Sequence, residues 1–166
     1  MFNSPNKIGE HEIRLDLINE SLHTNIIDIK ICNEVNWKKK HYKSITQKYG
    51  KEKYFNQYKH LLDFYLQDWK YLHELNRYTM KRISKSLNIN TEFYHSEDFN
   101  LKGNSSERLV QLVKELGGTH YISGPTAINY IDEKIFGDIK LEYINYKTKN
   151  KFSVLDNIFI NGVNIL

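Results

Sequence analysis

The chain has 166 residues, 40% apolar and 27% charged, with a formal net charge of +4. That balance suits one globular domain, and so modest a charge does not by itself argue for a nucleic-acid partner. Cys32 is the only cysteine, which excludes an internal disulfide and any four-cysteine zinc site. No stretch approaches the ~18 apolar residues of a membrane span, and the N-terminus lacks a charged-then-apolar leader. The expectation is a soluble, cytoplasmic protein with no membrane span. Lys, Asn, Ile and Tyr abound as AT-rich codons supply them, so the lysine excess reads partly as compositional bias.

Residues 1–10 read as a loose polar start. Ile13, Leu15 and Leu17 alternate with polar neighbours over 12–18, and Ile27, Ile29 and Ile31 do so over 26–32. Both are strand patterns, joined by a polar connection over 19–25. Cys32 ends the second run and reads as a small buried residue. From Val35 the period becomes helical: Trp37, His41, Ile45 and Tyr49 fall four apart on one face, and Tyr49-Gly50 marks the stop. Lys38, Lys39 and Lys40 form a solvated edge or a small basic patch for phosphate.

Glu52 to Leu87 is the longest helical region, one helix or two with a bend near Asp68. Its stripe of Phe55, Tyr58, Leu62, Tyr65, Trp69, Leu72, Leu75, Ile83 and Leu87 reads as core rather than as a base-stacking platform. Residues 91–95 make a short strand candidate. Asn104 with Glu107 has capping-box spacing ahead of an apolar helix face (Leu109, Val110, Leu112, Val113, Leu116) that stops at Gly117-Gly118. A strand over 119–123 follows. The order from Thr91 to Ser123 predicts a right-handed βαβ unit with parallel strands.

The stretch from Gly117 to Glu133 carries the densest signal. Gly124-Pro125 is a turn, Pro125 suits a first helical position, and Ser123 could cap that helix. A strand, glycine turn and helix start would offer backbone N–H groups at Gly124, Thr126 and Ala127 to an anion. The plain reading is a turn and nothing more. Neither the dinucleotide fingerprint nor the P-loop is satisfied. After it, 138–146 reads as a strand, 147–151 as a charged turn, and 153–159 as a final helix capped by Ser153 and ended by Asn161-Gly162. The whole predicts an α/β single domain over 1–166, with a mostly parallel sheet and a large helical portion.

Several motifs together resemble the WbqC-like family. They are Ser106-Glu107-Arg108-Leu109-Val110, the run from Leu116 to Asp132 (LGGTHYISGPTAINYID), Phe136-Gly137 before an extended segment, and Ser153 to Leu166 (SVLDNIFINGVNIL). Trp37, His41, Tyr49, Tyr54-Phe55 and Leu75-Asn76 fit the same pattern, so the resemblance runs from about residue 25 to the end. It implies a role in surface polysaccharide biosynthesis, such as that of O-antigen, as a transferase acting on unusual amino sugars. The family's glutamine-proline N-terminal segment is not matched here, and the loop before the last helix is shortened to 146–150. On that comparison the chain is N-terminally truncated, which raises a second reading: a non-catalytic accessory or remnant that keeps the fold.

Ser123 lacks the Gly-x-Ser-x-Gly of a nucleophile elbow. His120 and His41 are general-base candidates, since imidazole titrates near neutrality. Asp156, flanked by Leu155 and Ile158, needs solvent, a partner such as Arg108 or Tyr130, or a ligand. Asp132 and Glu133 are adjacent, so on a helix they diverge by about 100° and form no matched acid/base pair. The candidate site comprises His120, Asp156 and His41 as catalytic groups. Tyr121, Ser123, Gly124, Thr126, Tyr130, Asp132 and Arg108 are its ligand contacts. No His-x-x-x-His metal spacing occurs and no cofactor is indicated. The expected partners are a nucleotide-sugar or sugar-linked substrate, an acyl donor, and a protein partner or second copy. A nucleic-acid role ranks last.

Overall fold

A computed structural model describes residues 6–8, 11–13, 15–18, 24–145 and 152–163. The chain divides into two compact units. The first combines 1–90 with 150–166, and the second is the continuous segment 91–149. Each has its own apolar core.

The first unit opens with short strands. β1 (Asn6–Ile8) pairs antiparallel with β2 (His11–Ile13), in place of the loose start expected there. β3 (Leu17–Ile18) pairs antiparallel with β4 (Lys30–Ile31). The strand expected over 26–32 is only half realised, because Ile26–Asp28 turn as a 3-10 helix instead. Cys32 is half-buried, its N–H donating to the Asp16 carbonyl at 2.9 Å.

Helix α1 (Trp37–Tyr49) is capped by Asn36, whose side chain accepts from the Lys39 N–H at 3.2 Å. Its apolar face is the expected one. Trp37, Ile45 and Tyr49 are buried, and His41 lies half-buried between the Trp37 and Tyr65 rings at 5.5 and 5.9 Å.

The region read as one helix, or two with a bend near Asp68, is three elements: α2 (Phe55–Tyr58), a 3-10 segment Lys59–Leu66, and α3 (Leu72–Ser86). The break at 67–71 falls where a bend near Asp68 was foreseen. It has a physical cause: backbone groups there serve β4, with the Ile31 N–H donating to Lys70 O and the Leu72 N–H to Ile29 O, both at 2.9 Å. The aromatic stripe survives the break. Phe55, Leu62 and Leu75 are buried, and Tyr58, Tyr65, Trp69, Leu72, Ile83 and Leu87 pack against them. α3 ends with Asn88 in the left-handed region at φ 57°. The Asn88 N–H returns to Lys85 O and the Ile89 N–H to Ser84 O, closing a Schellman cap.

Helix α5 (Val154–Asn161) completes this core with Ile158 and Phe159, both fully buried. Ser153 caps it as expected, accepting from the Leu155 N–H. The Tyr54 N–H donates to Phe159 O at 3.0 Å, tying the start of α2 to α5.

In the second unit no strand forms over 91–95, so the βαβ reading fails at its first member. Helix α4 (Ser105–Glu115) has the expected capping box: the Glu107 N–H donates to Asn104 Oδ1 at 3.0 Å, and the Asn104 N–H to Glu107 Oε2 at 2.7 Å. It stops in a second Schellman cap, with Gly117 at φ 65°, the Gly117 N–H on Lys114 O and the Gly118 N–H on Val113 O. β5 (His120–Ser123) then pairs parallel with β6 (Lys140–Tyr143), register Ser123↔Tyr143. The parallel partner of β5 therefore follows it in the chain instead of preceding it. Two short 3-10 turns, Pro125–Asn129 and Glu133–Phe136, make the crossover. Its core is Val110, Val113, Ala127, Ile131, Phe136 and Ile139.

Among the described residues the strands form three separate pairs, two antiparallel and one parallel. The chain mixes helix and strand, but the mostly parallel sheet is replaced by these small ladders. The connection over 19–23 and the charged turn over 147–151 lie outside the described residues.

Candidate functional site

Alternation along β5 and β6 turns Tyr121, Ser123, Leu141 and Tyr143 inward and leaves His120, Ile122, Lys140 and Glu142 outside. Ser123 and Tyr143 are register partners at the carboxyl ends of parallel strands, the edge where open α/β sheets hold ligands. Ser123 O accepts from the Ile144 N–H at 2.9 Å, which keeps the two ends together.

The turn beyond β5 differs from the expected helix start. Pro125 begins a five-residue 3-10 segment, too short for the aligned dipoles of an α-helix. Gly124 caps it with no side-chain hydrogen bond, so Ser123 is not the cap. Gly124 has φ −70° and ψ 159°, the extended form that any residue adopts before proline. A Cβ built on it meets nothing within 4 Å. Its carbonyl accepts from the Ala127 N–H at 3.1 Å, and Thr126 is exposed beside it. The glycine is thus not demanded by strain or by close packing.

The polar groups that converge lie one segment further on. The Ser106 hydroxyl, buried on α4, accepts from the Asp132 N–H at 3.0 Å and pins the crossover to the helix. Asp132 Oδ1 accepts from the Lys134 N–H at 3.1 Å and starts the second 3-10 turn. That turn presents Glu133, whose Oε1 accepts from the Tyr143 hydroxyl at 2.8 Å. The Tyr143 phenol is pushed up to about 12, first by partial burial, then by its bond to the Glu133 carboxylate, with a smaller electrostatic contribution from Tyr130. Tyr130 is 65% exposed and follows the Pro125–Asn129 turn. A carboxylate held by one phenol, with the Ser123 hydroxyl on the register partner of that tyrosine, is suited to accept and pass protons from ligand hydroxyl or amine groups.

Within the second unit, His120, Tyr121 and Arg108 do not join this group. His120 begins β5, so three residues of strand, about 10 Å, separate it from Ser123. It is exposed, and its Nδ1 bonds the Thr119 hydroxyl at 2.8 Å. Tyr121 packs its ring on Phe136 at 5.7 Å, as core. Arg108 is exposed on α4, and residues two apart on a helix lie about 200° apart. It therefore projects away from the side by which Ser106 reaches Asp132.

His41 and Asp156 belong to the first unit. Asp156 is 5% exposed, and its Oδ1 accepts from the Tyr49 hydroxyl at 2.7 Å. It sits in the first turn of α5, where a carboxylate meets the positive end of the helix dipole. Tyr49 of α1 is a partner of this buried acid, where the sequence left solvent, Arg108, Tyr130 or a ligand open. Lys38, read as part of a phosphate patch, donates to Gln67 O at 3.0 Å and pairs with Asp68 at 2.5 Å. Sequence reasoning missed Tyr143 and weighed Glu133 only against Asp132. The alternation of 140–143 placed Tyr143 on the inner side, but only the parallel register brings it to the turn.

The model of the WbqC-like protein family matches residues 3–166, a wider span than the motifs from residue 25 onward. The chain is similar to the uncharacterized protein Rv1507c of Mycobacterium tuberculosis (strain ATCC 25618 / H37Rv). It is 30% identical over 148 residues, covering 82% of this chain and 61% of that protein. The chain thus spans about three fifths of the length of that relative. No solved structure matches it.

Proposed function

This chain belongs to the WbqC-like protein family, and from that premise we propose that it acts in surface-glycan biosynthesis as a transferase on an amino sugar. The donor is a nucleotide-sugar or an acyl carrier. The acceptor is a hydroxyl or amine of the sugar. The observation that carries this reading is the Tyr143–Glu133 hydrogen bond at the carboxyl end of β5 and β6, with Tyr130 exposed after the Pro125–Asn129 turn. Glu133 takes the proton from the attacking hydroxyl or amine, a role worth roughly 10²–10⁴ in rate. Tyr143 holds the carboxylate in place, and Tyr130 offers a ring face and a hydroxyl to the sugar. Ser123, Thr126 and Asp132 complete the hydrogen-bonding rim.

A second reading, an accessory protein without turnover, draws on the short 3-10 turn after Gly124, which lacks the phosphate-binding helix start of a typical donor site.

A thermal-shift panel of nucleotides, nucleotide-sugars, acyl carriers and amino sugars separates the two. A ligand at a hundredfold its Kd stabilises by about 2.7 kcal/mol. The transferase reading expects a shift from a sugar-bearing compound that is lost in Tyr130→Ala, and turnover that is lost in Glu133→Gln with binding kept. Binding of a sugar without turnover in any donor combination favours the accessory reading. No shift from any compound sinks the transferase reading and favours the accessory one.

A further inference from the structure

The positive charge of this chain is not spread evenly. Of its 24 lysines and arginines, six fall within residues 37–51, where no acid occurs, and the other 18 are outnumbered by 20 acids. Compositional bias would scatter lysines. Here they collect on α1 and its C-terminal flank. Lys38 is consumed by Asp68 and Gln67. Lys39, Lys40, Lys43 and Lys48 are exposed and enter no ion pair among the described residues.

At 100° per residue, Lys39, Lys43 and Lys40 fall at about 0°, 40° and 100°, while Trp37, Ile45 and Tyr49 are centred about 180° away. The buried face therefore fixes the helix on the core with its lysines pointing outward as a preformed basic surface. Three lysines in the first turn also sit at the positive end of the helix dipole, which disfavours them for folding. Lys38 is compensated by Asp68 and Gln67, whereas Lys39 and Lys40 enter no ion pair among the described residues.

An apolar border adjoins the arc. Tyr42, 60° from Lys39, is partly exposed, and its ring meets that of Tyr65 at 6.3 Å. The next residue is Leu66, at 82% the most exposed large apolar side chain described, followed by Gln67, whose carbonyl holds Lys38.

We propose that the α1 face of Lys39, Lys40 and Lys43, with Tyr42 and Leu66 at its edge, docks on an anionic lipid bilayer. Clustered lysines attract a negatively charged leaflet, an amphipathic tyrosine suits the interface, and an exposed leucine gains by entering the acyl boundary. Nucleic acid would use the lysines but not the leucine. It would also favour arginine, whose fork matches phosphate, and α1 has none. The contact is peripheral and reversible, set by a handful of charges and one apolar side chain.

Cosedimentation of the full chain with vesicles tests this, using phosphatidylcholine alone and with about one quarter phosphatidylglycerol, at about 50 and 500 mM salt. Binding is expected only to the anionic vesicles and only at low salt. The triple variant K39Q/K40Q/K43Q is expected to bind about a hundredfold more weakly, about 1 kcal/mol for each lysine. Leu66→Gln is expected to bind about tenfold more weakly. Neither should melt below the parent, since the altered side chains face water and the triple variant also removes two lysines from the positive end of the helix dipole. Failure of the parent to bind anionic vesicles overturns the proposal, as does equal binding by the triple variant. Vesicle binding indifferent to Leu66→Gln, together with lysine-dependent capture of a random single-stranded oligonucleotide, would reassign the face to nucleic acid.

Discussion

Replacing Tyr49 by Phe removes one oxygen from the core of the first unit. Tyr49 is 1% exposed and its ring stacks near Phe159 at 5.4 Å, so the phenylalanine ring keeps the packing. What is lost is the 2.7 Å bond to the buried Asp156 carboxylate. A hydrogen bond to a charged group contributes about 1.5–3 kcal/mol, and the carboxylate stays behind in a site only 5% exposed. Against a total stability of roughly 5–15 kcal/mol, a loss near 2 kcal/mol lowers Tm by roughly 4–8 °C in a chain of this length. Urea unfolding of Tyr49→Phe, Asp156→Asn and the double variant should give a coupling energy above about 1 kcal/mol. Additive single effects, or a Tyr49→Phe chain as stable as the parent, would refute the assignment of Asp156 as a structural acid. So would an Asp156→Asn variant that keeps full stability and loses ligand response.

The cap of α4 gives a sharper local test. Gly118→Ala places a Cβ 3.1 Å from Val113 Cγ1 and 3.2 Å from Val113 O, and Gly117→Ala forces an L-residue to φ 65°. Each should cost about 1–2 kcal/mol in urea unfolding, whereas Gly124→Val, with nothing within 4 Å of its Cβ, should stay within about 0.5 kcal/mol of the parent. Asn104→Ala breaks the capping box and should cost about 1 kcal/mol by the same measurement. Tyr143 keeps its proton longer in the folded state than its ordinary value of 10.0 allows. Its contribution to stability is therefore complete below about pH 10 and is lost as the pH rises to about 12. Phenolate absorbance should show this late titration, shifted back toward the ordinary range in Glu133→Gln and absent in Tyr143→Phe.

What could be read from the sequence followed from local chemistry. Four-residue spacing revealed the buried face of α1, and Asn104 with Glu107 announced the start of α4. Gly117-Gly118 announced its end, and Ser153 marked α5. These signals act within a few residues and need no tertiary knowledge. The failures came where distant backbone decided. Residues 67–71 have helical neighbours and no proline, yet β4 claims the groups at Lys70 and Leu72. The segment after Pro125 had a helix start signal, but Ala127 and Ile131 are drawn into the core by a tight 3-10 path. The candidate site suffered likewise. Ser123 and Tyr130 were visible as members of a turn, while the bond between Glu133 and Tyr143 depends on a parallel register that no local pattern specifies. Asp156 was noticed because it is an acid on an apolar segment, but its partner lies 107 residues away in sequence.

The first unit is built from two separated pieces of chain, and that fixes the order in which it can form. Its core residues from Ile31 to Leu75 leave the ribosome early, but Ile158 and Phe159 arrive more than eighty residues later. At ordinary synthesis speeds that delay is on the order of ten seconds. During it Phe55, Leu61 and Leu62 have no α5 to close over them, while the second unit, continuous in sequence, can already assemble. The nascent protein therefore passes through a half-finished stage with its aromatic stripe uncovered, the stage at which chaperone capture and aggregation compete.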